Sequence, residues 1–176
     1  MSRFFTKTLS ALQPYTPGEQ PQDMQYIKLN TNENPYPPAP GVLDAITREA
    51  VSQLKLYSDP TIAPLKQAIA DQYGLKPENV FVTNGSDETL GFSFLAYADA
   101  EHPVTIPDIS YGFYKVFAQL FQVAPKVIPL REDFSLPVEK FCGVGSMVVF
   151  ANPNAPTAIS LPLSEVEKIV ASNPDH

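Results

Sequence analysis

Apolar residues follow two kinds of spacing along this chain. Apolar positions three and four residues apart predict helices over 42–56, 65–73, 86–98, 114–120 and 164–170. Short apolar runs bounded by turn residues predict strands over 80–83, 104–106, 126–130 and 147–150. Because strands alternate with helices, the pattern indicates an α/β fold with a largely parallel sheet.

Several predicted strands lead directly into loops that are rich in glycine, proline and polar residues. The loops read "TNGSDE", "PDISYG" and "NPNAPT". In parallel α/β sheets, ligands bind outside the carboxyl ends of the strands. If the strands are neighbours in the sheet, the loops converge and form a candidate site.

Proline is concentrated ahead of the first predicted helix. The segment "LNTNENPYPPAPG", residues 29–41, excludes a helix or a central strand because proline lacks the backbone donor that both require. An extended arm that docks on the rest of the protein and a disordered leader both fit this composition. Aromatic and aliphatic residues throughout 1–36 favour the docked arm.

Composition and charge narrow the class of protein. Hydrophobic residues make up 44% and charged residues 18%, which is typical of a soluble globular domain. The net charge of −7 argues against a nucleic-acid binder, and no apolar run is long enough to span a membrane. We identify no signal peptide and no metal-ligand motif. A lone cysteine, Cys142, indicates a reducing cytoplasm and a structural role, since neither His102 nor His176 stands in a Cys-His arrangement.

The segment "NVFVTNGSDETL" carries the strongest local signal for chemistry. A helix that begins near Ser86 leaves its first N–H groups without partners inside the helix, and together with the helix dipole these groups attract an anion such as phosphate. Gly85 permits close approach of a ligand to the backbone. Plain capping explains the same residues, because Asp87 and Glu88 also favour a helix N-terminus and oppose a phosphate.

The other two loops contain further candidate residues. Tyr111 follows a strand end, where its ring could stack on a flat ligand or simply form part of the core. Asn152 and Asn154 stand between prolines, where their amides could donate to a ligand or form an Asx-turn.

Five segments together resemble a known family. "LNTNENPYPP", "YSDPTIAPLKQAIA", "VFVTNGSDETL", "PDISYGFY" and "ANPNAPT" are similar to the amino-terminal half of the histidinol-phosphate aminotransferases. These are fold-type I enzymes that depend on pyridoxal 5′-phosphate (PLP) and share the aspartate-aminotransferase architecture. The resemblance covers nearly the whole chain. It therefore implies a three-layer large domain with a mostly parallel sheet, preceded by an extended N-terminal arm.

The resemblance also implies roles for individual residues. Those that match Gly85, Ser86 and Asp87 hold the cofactor phosphate in the family, and the aromatic residue that matches Tyr111 stacks on the pyridine ring. The tyrosine that matches Tyr57 reaches the phosphate of the other subunit of a homodimer. The arm around Asn32, Glu33 and Asn34 closes the substrate site.

The chain departs from the family pattern in the third loop. The family asparagine that contacts the phenolic oxygen of the cofactor stands where this chain has Ala155, and the family glycine two residues after the proline is Ala158. Asn154, one residue earlier, is a candidate for the lost contact. The Schiff-base lysine of the family and its aspartate and arginines have no matching motif here, which predicts a fragment that is inactive alone.

The implied domain boundaries and function complete the expectation. Residues 1–40 form the arm, 41–58 a helix of the small domain or linker, and 59–176 the first part of the PLP-binding large domain. The implied reaction is transamination between histidinol phosphate and 2-oxoglutarate in histidine biosynthesis. Another fold-type I aminotransferase, a threonine-phosphate decarboxylase and a non-catalytic α/β module that binds a phosphate ligand remain alternatives.

Overall fold

The computed structural model describes residues 3–12 and 18–175. The chain divides into two compact units, one made of the described residues of 1–15 and 83–176 and the other of those of 16–82. The boundaries after residues 40 and 58, which were predicted to separate the arm, the small-domain or linker helix and the large domain, stay a prediction.

The described residues form short helices and a small sheet. In chain order the helices are α1 (Lys7–Ala11), α2 (Pro40–Ala45), α3 (Arg48–Ser52), α4 (Ala63–Tyr73), α5 (Ser86–Tyr97), α6 (Phe113–Leu120) and α7 (Leu163–Ser172). The strands are β1 (Val104–Pro107), β2 (Lys126–Ile128) and β3 (Met147–Val148). Single 3₁₀ turns occupy Gln53–Lys55, Pro77–Asn79 and Val138–Lys140.

The sheet confirms the predicted α/β class. It has three parallel strands in the order β2-β1-β3, with Thr105 paired to Lys126 on one side and to Val148 on the other. Every residue of β1 is buried, as expected for the central strand of a parallel sheet covered on both faces. The carboxyl ends of β1 and β3 therefore lie side by side, which positions the two loops that follow them.

Two apolar clusters hold the first unit together. One joins α5, β1 and α6 through buried side chains that include Phe94, Ile106 and Phe117. The other joins β2 to α7 through Ile128, Phe141 and Ile169. Cys142 packs against this second cluster and its thiol donates to the Val138 carbonyl at 3.3 Å, in agreement with the structural role expected for it.

Within the first unit, the N-terminal helix α1 lies against α6. The side chain of Gln119 on α6 donates to the carbonyl of Ala11, the last residue of α1, at 2.9 Å. This contact favours a docked arm for the described residues of 3–12. Residues 29–39 of the proline-rich segment contain no helix or strand, as predicted. The exclusion of a helix over 29–41 is wrong at its end, because Pro40 and Gly41 belong to α2 and proline is tolerated at the first helical position.

The predicted helix over 42–56 is wrong as a single element. α2 ends at Ala45, α3 begins at Arg48, and Thr47 lies between them as an N-cap whose hydroxyl accepts from the Ala50 N–H at 3.1 Å. Threonine offers the backbone this local alternative, which starts a new helix instead of continuing the old one. The last helix, predicted to begin at Ser164, begins one residue earlier at Leu163, so Ser164 lies in its first turn.

The predicted strand over 80–83 is also wrong. Val80 is extended, with φ −110° and ψ 120°, but among the described residues no strand pairs with this segment. An apolar run indicates an extended, buried backbone. A strand also needs a neighbouring strand whose backbone groups pair with its own N–H and C=O groups.

The unit of 16–82 is mostly exposed. α4 spans the predicted helix, and Gly74 ends it at φ 65°, the left-handed conformation that favours glycine. Ala70 is the buried residue of this helix, whereas Leu65 and Tyr73 are exposed.

Candidate functional site

The junction before α5 has the geometry of an uncapped helix start. Gly85 occupies the N-cap position at φ 80° and ψ 171°, and no side chain caps the helix there. The Asn84 N–H is occupied by the Glu88 carboxylate at 2.7 Å. The N–H groups in the first turn of α5, which begins at Ser86, have no carbonyl partner in a preceding turn, so they point out of the helix N-terminus. The junction thus presents backbone donors to an anion.

A phenol–carboxylate contact links the second loop to this junction. The Tyr111 hydroxyl lies 2.9 and 3.1 Å from the two carboxylate oxygens of Asp87, in the first turn of α5. Both side chains are partly buried, and the Tyr111 ring stacks on Phe113 with centroids 5.7 Å apart. Phenol donation to Asp87 fixes the ring and holds that carboxylate against Tyr111.

The third loop is joined to the second by the side chain of Asn154. Its oxygen accepts from the Ser110 hydroxyl at 2.7 Å. Its amide nitrogen donates to the Ile109 carbonyl at 3.0 Å and to the Thr157 hydroxyl at 3.1 Å. Asn154 is only 9% exposed. These bonds hold the loop after β3 against the loop after β1.

The predicted convergence of the three loops is therefore confirmed. Asp87 meets Tyr111, and Ser110, the residue before Tyr111, meets Asn154. Ser110 and Thr157 are residues of this network that sequence reasoning missed. Their signal was present, since both are hydroxyl residues within the loops already singled out.

Tyr114 and Lys115 lie beside the same loops. Burial is the main influence on the Tyr114 phenol and raises its pKa, which keeps it neutral. The Lys115 ammonium donates to the Asp108 carbonyl at 3.2 Å. Lys115, on α6, therefore places one positive charge near the start of the loop that contains Tyr111.

The remaining predicted site residues belong to the unit of 16–82. Tyr57 is fully exposed. Asn32 has a left-handed φ of 54°, and the Asn34 side chain accepts from the Tyr36 N–H at 2.9 Å to form a turn. Glu33 forms a hydrogen bond and ion pair with Lys28, which lowers the pKa of the Glu33 carboxyl. The predicted arm residues thus form one local polar turn.

The two departures in the third loop have visible consequences. Ala158, which stands where the family has glycine, has a φ of 59°, in the left-handed region that costs a non-glycine residue about 1 kcal/mol. Glycine would adopt this conformation without that cost. Ala155 is half-buried and its methyl group offers no donor.

The described residues contain neither a metal-binding cluster nor a membrane-spanning helix. Within 3–12 and 18–175, no group of His, Cys, Asp and Glu side chains is arranged to hold a metal ion. In the same ranges, no helix combines the length and apolar character needed to cross a bilayer.

The family of this chain follows from a match to a known family model. The family model described as aminotransferase class I and II matches residues 24–176. The chain belongs to this family. The matched residues include the junction before α5 and both other loops of the site.

Individual relatives narrow the resemblance. A histidinol-phosphate aminotransferase of Clostridium acetobutylicum is 51% identical over 99% of this chain, and one of a Marinomonas species is 49% identical over the same share. This chain spans 50% of the length of each of these relatives.

A solved structure gives the fold. The histidinol-phosphate aminotransferase of Sinorhizobium meliloti, crystallised in complex with pyridoxal 5′-phosphate, superposes with a TM-score of 0.80 at 24% identity. The match covers 99% of this chain and 49% of that one. The small parallel sheet and its helices are therefore part of the fold-type I architecture, as the sequence predicted.

Removing the Tyr111 hydroxyl tests the phenol–carboxylate contact. Tyr111→Phe is expected to lower the free energy of unfolding by about 1 kcal/mol, because the bond has a charged but partly solvated acceptor. Urea denaturation followed by circular dichroism measures this change. Tyr97→Phe is the matched control, since it removes a hydroxyl from an exposed side chain of α5. Equal stability of both variants would contradict a structural role for the contact.

Proposed function

We propose that this chain forms the phosphate- and ring-binding part of the PLP site of a histidinol-phosphate aminotransferase. The whole protein would transfer the amino group of histidinol phosphate to 2-oxoglutarate, giving imidazole-acetol phosphate and glutamate in histidine biosynthesis. The observation that carries the proposal is the convergence of an uncapped helix start, an oriented tyrosine ring and the loop after β3. Relatives about half identical over the full chain support it.

The junction before α5 fits a phosphate ester. A Cβ atom built on Gly85 would meet no atom within 4 Å, so the space beside this backbone is open to a ligand. We propose that the backbone N–H groups of Ser86 and Asp87, with the Ser86 hydroxyl, donate to the phosphate oxygens. The Asp87 carboxylate opposes this charge less than its position suggests, because the Tyr111 hydroxyl donates to it.

The Tyr111 ring fits the face of a pyridine ring. Its hydroxyl is fixed by Asp87, and its ring forms a T-shaped pair with the Tyr114 ring, so the plane of the Tyr111 ring is set before a ligand arrives. Asn154 is proposed as part of the wall of this site. When bound, PLP supplies an electron sink for the carbon that loses its proton.

The residues of the other unit complete the proposal. Tyr57 would reach the cofactor phosphate in the partner subunit of a homodimer, and its full exposure is compatible with such a contact. Asn32, Glu33 and Asn34 would border the substrate. We propose a cytoplasmic enzyme with an amino donor and a 2-oxo acid as its small-molecule partners.

Ligand binding without the covalent step tests the site itself. Pyridoxine 5′-phosphate lacks the aldehyde of PLP, so it cannot react with surface lysines. Equilibrium dialysis against the chain is expected to show at least about tenfold tighter binding of pyridoxine 5′-phosphate than of pyridoxine, since several charge-assisted hydrogen bonds go to the phosphate. Inorganic phosphate should compete. Equal affinity for the two compounds would contradict the proposed phosphate seat.

The amino donor separates this proposal from its alternatives. A whole protein of the proposed kind forms glutamate from 2-oxoglutarate with histidinol phosphate and not with other amino donors. Release of carbon dioxide from threonine phosphate would instead indicate a decarboxylase. Phosphate-dependent binding in a whole protein that has neither activity would indicate a binding module.

A further inference from the structure

The Asn154 side chain has used its whole capacity to donate hydrogen bonds. A carboxamide carries two N–H protons and one oxygen acceptor. In this protein one proton goes to the Ile109 carbonyl and the other to the Thr157 hydroxyl, at 3.0 and 3.1 Å. The oxygen accepts from Ser110 at 2.7 Å. Only a second lone pair on that oxygen remains, and it is an acceptor.

The backbone of Asn154 is committed as well. Its N–H donates to the Ile159 carbonyl at 2.9 Å, and its carbonyl accepts from the Ala158 N–H at 2.7 Å. These bonds close the turn of the third loop around a side chain that is 9% exposed. Asn154 therefore has no rotamer freedom with which to exchange a partner at low cost, because a buried polar group left without a partner is strongly disfavoured.

The partners of Asn154 lead directly to the ring of the proposed site. Ile109 and Ser110 immediately precede Tyr111, and the Tyr111 hydroxyl contacts Asp87 at the start of α5. A continuous chain of hydrogen bonds and two peptide units thus runs from the third loop through the second to the first.

We infer that Asn154 is a positioning residue that sets the place of the Tyr111 backbone, and that it does not donate to a bound ligand. The inference rests on the proposed function only where it concerns the ligand. It corrects the sequence-based expectation that Asn154 replaces the donor missing at Ala155, since an acceptor oxygen on a ligand would need a proton that Asn154 has already given to Ile109 or Thr157.

Hydrogen exchange in the absence of any ligand tests the positioning role. Two reporter amides lie beside the proposed link: the Ile109 N–H donates to Asp108 and the Tyr114 N–H donates to the Tyr111 carbonyl. In Asn154→Ala, exchange at both amides is expected to accelerate roughly tenfold relative to the rest of the sheet, because the second loop loses its tie to the third.

Asn152→Ala is the matched control. Asn152 lies in the same loop, but its amide pairs with the backbone of Leu161 at 2.8 and 3.0 Å and does not contact the second loop. This variant should accelerate exchange at Leu161 and leave Ile109 and Tyr114 unchanged. A general loss of stability would accelerate all of these amides in both variants, and that result would overturn the inference.

Ligand affinity then separates the inference from the proposed function. Under conditions where both variants are folded, Asn154→Ala should weaken pyridoxine 5′-phosphate binding and Asn152→Ala should not. Weaker binding with unchanged exchange at Ile109 and Tyr114 would make Asn154 a ligand donor and overturn the inference. If the unsubstituted protein fails to bind the compound, the proposed function fails, while the exchange result still decides the role of Asn154.

A milder variant covers the case in which Asn154→Ala does not fold. Ser110→Ala removes one of the bonds to Asn154 and leaves both of its donated bonds in place. The Ser110 side chain also forms a hydrogen bond with the Tyr114 phenol, so Ile109 is the reporter for this variant. Faster exchange at Ile109 supports the link, and unchanged exchange there overturns it.

Discussion

Phe94→Ala is expected to lower the free energy of unfolding of this protein by about 3–5 kcal/mol. Phe94 is fully buried in the last turn of α5, where its ring centroid lies 5.7 Å from that of Phe117 on α6. Removing the ring takes away its burial and leaves a cavity between α5, β1 and α6. Because whole domains are stable by only about 5–15 kcal/mol, the variant should lose a large share of its stability.

Urea denaturation measures this loss, and a second phenylalanine of the same helix provides the control. Phe92 is 46% exposed, so Phe92→Ala is expected to cost about 1 kcal/mol or less. The comparison removes the same ring from the same helix at two levels of burial. Equal costs for the two variants would show that the cluster around Phe94 is not the core of this unit.

Gly85→Ala is expected to weaken pyridoxine 5′-phosphate binding by about tenfold or more and to lower stability by about 1–3 kcal/mol. The stability cost comes from the backbone, because φ 80° with ψ 171° is a conformation that only glycine adopts readily. The affinity cost follows because relief of this strain turns the N–H groups of α5 away from the phosphate, and because a methyl group enters the space beside them.

Gly41→Ala is the control for this substitution. A Cβ atom on Gly41 also meets nothing within 4 Å, but Gly41 lies inside α2 and has no positive φ. Alanine should therefore be neutral there or stabilise by up to about 1 kcal/mol. The two variants add the same methyl group to open space and differ in backbone conformation. A Gly85→Ala variant as stable as Gly41→Ala, with undiminished affinity, would refute the strained-junction account.

The parts of the fold that the sequence predicted correctly are those whose stabilising contacts are close in sequence or strongly patterned. α5 and α6 follow the apolar spacing to within a few residues, and α4 ends at Tyr73, the last residue of its predicted range. The apolar spacing of α5 includes both Phe94 and Tyr97, but Phe94 is buried whereas Tyr97 is exposed. Periodicity identifies an apolar stripe but not how much of it a neighbouring element covers.

The wrong elements failed for a different physical reason. The pattern over 42–56 is compatible with a helix, but the hydroxyl of Thr47 starts a second helix within it. The pattern over 80–83 is compatible with a strand, but strand formation depends on a neighbour that residues 80–83 do not specify. A local hydrogen bond of Thr47 divided the predicted helix. The absence of a pairing strand among the described residues prevented the predicted strand.

The candidate site shows the same division. Glycine, serine and aromatic residues at the ends of the predicted strands indicated the three loops, and the loops do meet. The detailed chemistry of Asn154 was beyond sequence reasoning, because its partners are up to 45 residues away and are fixed by the register of β1 against β3. Ala158 was identified as a departure from glycine, but only the structure shows that its backbone is left-handed.

The hydrogen bonds between the loops have a consequence for folding kinetics. They join residues 24 to 45 positions apart, so each closes a long loop whose entropy cost must be met before the contact stabilises anything. The sheet has to be assembled before these bonds can form, which places the site among the last features to appear and the first to open. A ligand that needs all three loops would therefore slow the unfolding rate and leave the folding rate almost unchanged.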